Sequence, residues 1–354
     1  MARRRKRLDP AAFALPAERI RAGFYTDAYF QHTRQVLQCE GRSPQVVMQV
    51  SGKGGGLVAG LDEAIAILRA GCDDWGALAV HALHDGDRFE PWETVLTIEG
   101  PYDHFAHLET VFLGAIVRRS RICTNARAVV EAARPKPVYF FGARHDHFLM
   151  QAGDGHAAHL AGVQSVSTDA GASLFGGKGS GTVPHALIAA YGGDTARAVR
   201  QMATCLPPET PIVALVDYAN DVVTTSLECA RALEGRLWGV RLDTSEHLVD
   251  RSVLPLMGTF RPTGVNPAMV WNVRNALDAE GFGEVKIVVS GGFSPARIRA
   301  FEEEGTPVDA YGVGASIVNE GSVDFTADIV MVGGAPEAKV GRELRPNPRL
   351  ERVR

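Results

Sequence analysis

Long apolar runs are missing from this chain of 354 residues: no stretch approaches the roughly twenty consecutive apolar residues that a membrane-spanning helix needs. That absence leads to the expectation of a soluble protein. Cysteine is sparse as well. Cys39, Cys72, Cys123, Cys205 and Cys229 are scattered, odd in number and without a C-x-x-C pair, which argues against a zinc site or a disulfide framework and fits a reducing cytoplasm. Charge of one sign is not in excess either, and a net charge of −4 argues against a general nucleic-acid binder. The one basic run, Met1 to Arg7, is followed by Asp9, Pro10, Pro16 and Glu18 rather than an apolar segment. It therefore reads as a disordered tail and not as a secretory leader. Internal repeats and low-complexity segments are absent, and 45% apolar with 22% charged residues is ordinary globular composition.

What is present points to phosphate. Two short strands near the C-terminus, Lys286 to Gly292 and Val308 to Gly314, are β-branched or apolar runs that stop at glycines, and Ser294-Pro295 then opens a helix. A strand that ends in glycine and feeds a helix leaves backbone N–H groups free at its carboxyl end, and glycine puts no Cβ in the way of an anion. One such end alone is as readily a plain turn. The pair suggests one phosphate between adjacent strands, on Ser290, Gly291 and Gly292 on one side and Gly312 and Gly314 on the other.

The pattern along the chain changes near residue 130. Before it, β-like runs at 45–50 and 93–98, a glycine turn at 52–56, and helical patterns at 61–70 and from about 104 to 133 read as α+β. After Pro135, strands at 138–141, 161–165, 212–216, 237–242, 286–290 and 308–313 alternate with helices, one of them at 266–279. Alternating βα units imply a parallel sheet or barrel with its site at the strands' carboxyl ends. The expected domains are a sandwich over residues 1–130, completed by an Arg- and Pro-rich tail within 322–354, and a barrel over 131–321.

Polar groups collect where the strands are expected to end. Phe141 is followed by Arg144, His145, Asp146 and His147; Asp217 follows the 212–216 strand; Arg241 and Asp243, two apart, share one face of their strand. Gly179-Ser-Gly-Thr-Val-Pro-His185 puts a histidine at a helix start. Taken singly, each has a plain alternative: Arg-x-Asp is often an ion pair, and a histidine after Ser-Gly-Thr is often a cap or surface residue. His145 and His147 could share a metal, but no third ligand stands at a recognisable spacing. What favours function is that all of them fall at one end of one barrel.

These residues resemble the nicotinate phosphoribosyltransferases, relatives of the nicotinamide and quinolinate phosphoribosyltransferases. In chain order, Tyr25-Thr-Asp-Ala-Tyr29, Gly52 to Leu61, Glu99-Gly-Pro101 with Leu108-Glu-Thr110, Phe141-Gly-Ala-Arg144, Ser180-Gly-Thr-Val-Pro-His185, Gly239-Val-Arg-Leu-Asp243, and the Ser290-Gly-Gly292 and Gly312-Val-Gly314 ends are similar to that family's motifs. The resemblance implies an irregular parallel α/β barrel with an α+β sandwich domain formed by the N-terminal region and the C-terminal tail, and a homodimer or higher homo-oligomer with a shared active site. It implies that Phe141 stacks on the base, that Tyr29 of the other subunit covers its second face, and that Arg144 and Arg241 hold the base's carboxylate and the diphosphate of phosphoribosyl pyrophosphate (PRPP). Asp243 would bind the ribose hydroxyls or Mg²⁺. His185, oriented by Asp217, would be phosphorylated by ATP as co-substrate.

Three departures bear on the base. His145 stands where many relatives carry a second arginine, Gln164 and Ser165 replace the usual Thr-Ser-Asn environment, and Asp243-Thr-Ser-Glu246 replaces Asp-Ser-Gly-Asp. The leading expectation is ATP-assisted formation of nicotinate mononucleotide in NAD biosynthesis. The alternatives are transfer to nicotinamide, quinolinate or another base, with Gln164 as the discriminating amide, or a barrel that binds a phosphorylated ligand without catalysis.

Overall fold

The helix Glu109–Ala133 changes its buried partners halfway along its length, and that change organises the molecule. Its first half sends Phe112 and Ile116 into one apolar core, together with Val46, Met48, Val50, Leu61, Ile65 and Leu68. Its second half sends Ile122, Cys123, Ala126, Val129 and Val130 into another, together with Val138, Phe140, Ile287 and Val289. No single stripe runs down this helix because its two halves face different layers. The computed structural model of the chain describes residues 6–353.

The strands in chain order are β1 (Gln45–Gly52), β2 (Gly56–Leu57), β3 (Ala79–Ala82), β4 (Arg88–Phe89), β5 (Thr94–Pro101), β6 (Val138–Phe140), β7 (Ser165–Val166), β8 (Ile212–Leu215), β9 (Leu237–Leu242), β10 (Lys286–Val289), β11 (Ala310–Val313), β12 (Phe325–Val332), β13 (Ala335–Pro336) and β14 (Glu351–Arg352). An antiparallel sheet has the order β13-β12-β1-β5-β3-β14, and β2 pairs with β4 as a separate ribbon. Gln49 and Ser51, on the face of β1 opposite its core residues, are also buried. The C-terminal segment covers them: Gln49 exchanges hydrogen bonds with the backbone of Glu343 and Arg345, and Thr94 donates to the Arg345 carbonyl.

The second sheet is parallel, in the order β7-β6-β11-β10-β9-β8. Period-2 alternation sends Ile287, Val289, Tyr311 and Val313 outward into the helix-covered core, while Tyr139, Val213, Val288 and Ala310 meet in a small cluster inside the curl. The two sheet edges, β7 and β8, are not paired with each other. The segment 179–183 crosses the gap instead: the Ser180 N–H donates to the Val166 carbonyl at 2.9 Å and the Val183 N–H to the Val213 carbonyl at 3.0 Å. The architecture is thus the expected parallel α/β barrel plus antiparallel sandwich, with a strap where a barrel strand would close the circle.

Two local expectations change. The apolar run at 161–165 is not a strand along its length; the helix Gln151–Leu160 ends there, with Gly162 at φ +101° and the Gly162 and Val163 N–H groups returning to His159 and Ala158. A glycine in that left-handed conformation ends a helix, so its apolar flanks belong to the helix cap. Strand β7 is left with Ser165 and Val166 alone. The basic run at the start is not wholly a free tail either: Arg7 donates to Asp62 at 2.9 Å and to the Ala82 and Leu83 carbonyls. Met1 to Arg5 lie outside the described residues.

Candidate active site at the carboxyl ends of the parallel strands

Arg241 points into the barrel from β9, and the chain's next inward position is Asp243. The guanidinium is held from three sides. Its Nη2 donates to Asp243 Oδ2 at 2.9 Å, its Nε to Ser290 Oγ at 2.8 Å, and its Nη1 to Thr182 Oγ1 at 3.0 Å. Ser290 Oγ in turn donates to Asp243 Oδ1 at 2.7 Å. The Arg241 Cζ lies 4.9 Å from the centroid of the Phe141 ring, a cation–π contact. A planar cation with fixed donors, resting on an aromatic face, is a preorganised receptor for an oxyanion or for a flat carboxylated ring.

Beside it, His185 opens the helix His185–Ala190 and its Nε2 donates to Asp217 Oδ1 at 3.0 Å. The Asp217 side chain is 7% exposed and the imidazole 47%. Burial pushes the Asp217 carboxyl above the ordinary carboxylate range; the His185 hydrogen bond pulls it back, and the Asp243 charge adds to the rise. With Nε2 committed to Asp217, Nδ1 is the ring nitrogen left for chemistry. Below these groups lies an open cavity of about 660 Å³, walled by Tyr139, Phe141, Ser165, Thr182, Trp238 and Val288 among others.

The glycine ends are used differently from the sequence expectation. β10 and β11 are indeed neighbours. Gly291 and Gly292 adopt φ +87° and +72°, their carbonyls accept from Arg297 Nη1, and their N–H groups have no acceptor among the described residues. Those two amides, just before the Ser294-capped helix Pro295–Glu303, remain a phosphate-sized cradle. Ser290, only 2% exposed, is not part of it, because its hydroxyl is spent on Arg241 and Asp243. At the other end Gly312 lies within β11, and a Cβ on it would stand 2.3 Å from Phe141 Cε2, while one on Gly314 would stand 2.7 Å from His145 Nε2 and from the Phe141 carbonyl oxygen. Their missing side chains make room for the Phe141 ring and its loop.

Three other expected residues lie outside the cluster. Gln164 sits at the amino end of the sheet, level with Val138 and beside Arg134 and Lys136, because β7 pairs with β6 through Tyr139–Ser165 and Phe140–Val166. The register places it a pleat below the cavity, so it is not the amide that reads the base. Its neighbour Ser165 faces inward and lies 2.8 Å from Ser180 Oγ. Tyr29 is on the helix Ala28–Cys39, where its hydroxyl reaches Asp27 and its ring packs on Phe30. Arg144 ends the 3₁₀ turn Gly142–Arg144, exposed and without a hydrogen-bond partner among the described residues. His147 Nδ1 accepts from the Leu149 N–H, and Asp146 pairs with Arg118.

Thr182 is the site residue that the sequence reading passed over. It stands inside Ser180-Gly-Thr-Val-Pro-His185, and its signal was a hydroxyl between two residues already singled out. Among the described residues no group of three His, Cys, Asp or Glu side chains forms a ready metal site. Asp243, with Asp217 near it, nonetheless offers the hard oxygen donors that suit Mg²⁺ shared with substrate phosphates.

The N-terminal and C-terminal domain models of quinolinate phosphoribosyl transferase match residues 27–120 and 122–328. The crystal structure of a nicotinate-nucleotide pyrophosphorylase from Pyrococcus furiosus is similar at 34% identity and a TM-score of 0.81, covering 95% of this chain and 84% of that one. A nicotinate phosphoribosyltransferase of Mycobacterium tuberculosis, pncB1, is 31% identical over 266 residues, covering 72% of this chain and 54% of that protein. The chain thus spans about half the length of the curated relatives it matches. Human nicotinic acid phosphoribosyltransferase, at 18% identity and a TM-score of 0.66 over 88% of this chain and 76% of that one, shares the fold.

Proposed function

Because the chain belongs to the quinolinate phosphoribosyl transferase family, whose C-terminal model alone spans residues 122–328, we propose that it transfers phosphoribose from PRPP to nicotinate, giving nicotinate mononucleotide and pyrophosphate. The observation that carries this reading is Arg241 fixed over the Phe141 ring at the mouth of the barrel cavity. The Phe141 face suits a flat heteroaromatic base, and the fixed guanidinium beside it suits the diphosphate that leaves as the base closes on ribose C1.

The bond from ribose C1 to pyrophosphate loosens to an oxocarbenium-like state as the pyridine nitrogen closes on C1 from the opposite side. Catalysis then requires charge stabilisation on the leaving group and a base held in line. Arg241 supplies positive charge that needs no reorganisation, since three hydrogen bonds already fix it. Phe141 orients the ring, Arg144 is free to turn toward the carboxylate, and the Gly291–Gly292 amides receive the 5-phosphate. Asp243 takes the ribose hydroxyls or, with the diphosphate, Mg²⁺, which when bound neutralises the leaving group. ATP acts at His185: Nδ1 attacks the γ-phosphorus, the bond to ADP breaks, and Asp217 keeps the proton on Nε2. Hydrolysis of that phosphohistidine drives the equilibrium toward the mononucleotide. The active unit is a homodimer in which Tyr29 faces the partner's site.

A second reading, transfer to quinolinate, is favoured by the description of the matching family models. Quinolinate carries two adjacent carboxylates, and none of the residues that wall the cavity is a cation; Arg241 reaches its wall through the hydrogen bond to Thr182. The test is to incubate the purified protein with PRPP, Mg²⁺ and nicotinate, nicotinamide or quinolinate, with and without ATP, and to identify the product. Nicotinate mononucleotide from nicotinate, formed faster with ATP, is expected. Product from quinolinate alone would install the second reading, and no product from any base would leave a phosphate-ligand-binding barrel.

A further inference from the structure

The strap that closes the barrel gap also joins its two charged centres. Thr182 Oγ1 accepts from Arg241 Nη1, and His185, three residues on, is hydrogen-bonded to Asp217. Between them Val183 is wholly buried, its N–H fixed to the Val213 carbonyl, and Pro184 has its φ restricted by its ring. The circuit closes through the sheet: Asp217 follows two residues after the end of β8, the Val216 N–H donates to the Arg241 carbonyl, and Leu215 of β8 pairs with Arg241 of β9. Few degrees of freedom remain in a loop pinned at both ends and in its middle.

We propose that Thr182 is a positioning residue through which the state of His185 reaches Arg241. This rests on the phosphoribosyl-transfer reading given above. Negative charge added at His185 Nδ1 is repelled by the Asp217 carboxylate, shifts the Pro184–His185 end of the strap, and changes the grip of Thr182 on the guanidinium that holds the diphosphate. ATP then alters PRPP affinity through this chain's own backbone, without ATP and PRPP touching the same side chain.

The experiment compares wild type with Thr182→Val, isosteric but without the hydroxyl, and Thr182→Ser, which keeps it. The quantities read are melting temperature, KM for PRPP with and without ATP, and ATP hydrolysed per nicotinate mononucleotide formed. Thr182→Val is expected to raise KM for PRPP about tenfold, to lose the ATP effect on that KM, and to consume more ATP per product. Thr182→Ser is expected to restore all three. A Thr182→Val enzyme whose PRPP affinity responds to ATP as wild type does overturns the inference and leaves the proposed function standing. So does a loss in Thr182→Val that follows melting temperature and is not rescued by serine. A wild type that makes nicotinate mononucleotide with no response to ATP overturns this inference together with the role given to His185, and a wild type without product overturns the reading on which both rest.

Discussion

Ser290 lies beneath both charged groups of the site, accepting from Arg241 Nε and donating to Asp243 Oδ1 while almost wholly buried. Hydrogen bonds to charged groups contribute more than neutral ones, and removing this hydroxyl leaves a guanidinium N–H and a carboxylate oxygen short of a partner in a poorly hydrated place. Ser290→Ala is therefore expected to lower stability by about 2 kcal/mol and to raise KM for PRPP, with a smaller effect on KM for the base. Urea unfolding and steady-state kinetics with each substrate varied check both. A hydroxyl that instead held phosphate would change PRPP affinity and leave stability untouched. The distinction was not readable from Ser-Gly-Gly alone, because a serine at a strand's carboxyl end looks the same whether it faces ligand or neighbouring strand.

At the scale of elements, the charged junction under the Phe141 loop is built from four segments. Asp154, on the helix Gln151–Leu160, accepts from Arg118 at 3.1 and 2.7 Å and from Arg119 at 2.7 Å, both on the helix Glu109–Ala133. Arg119 also reaches Glu63 at 2.8 Å, and Arg118 reaches Asp146 at 2.7 Å. The long helix thereby ties the helix Leu61–Gly71 of one layer to the loop that carries Arg144 in the other. A buried ion pair is weak evidence for stability, but breaking one strands the remaining charges. Asp154→Ala is expected to cost about 3 kcal/mol and to speed amide hydrogen exchange at residues 142–147, measured by mass spectrometry. Unchanged exchange in that loop would separate the junction from the site.

For the molecule as a whole, Glu109 gives stability a pH dependence. Burial, then the charges of Asp328 and Asp27, push its carboxyl up to about 7. Its folded-state pKa lies above its unfolded value, so folding takes up a proton between roughly pH 4.5 and 7. The stability linked to that proton is complete below this window and is lost as pH rises through about 7. Glu109→Gln stays neutral throughout, and is expected to match wild type near pH 4.5 and to exceed it by about 2 kcal/mol at pH 8. Denaturant unfolding across that range measures the difference, and equal stability at pH 8 would show that the carboxylate is solvated.

By itself the sequence determined the parallel sheet, the sandwich joined to it, and the end of the strands where chemistry collects. Period-2 runs such as 286–289, glycines at 291 and 292, and a Ser294-Pro295 helix start act over a few residues, so their meaning survives without the fold. The same locality made Arg241 and Asp243 readable as one face of one strand. Only the tertiary structure decided which groups share that face across the chain. Gln164 lies below the cavity and Gly312 behind the Phe141 ring because of strand register between segments far apart in sequence. Thr182 reaches Arg241 because β7 and β8 leave a gap that the strap must cross, and a gap between two strands is a property of the closed sheet that no local pattern records.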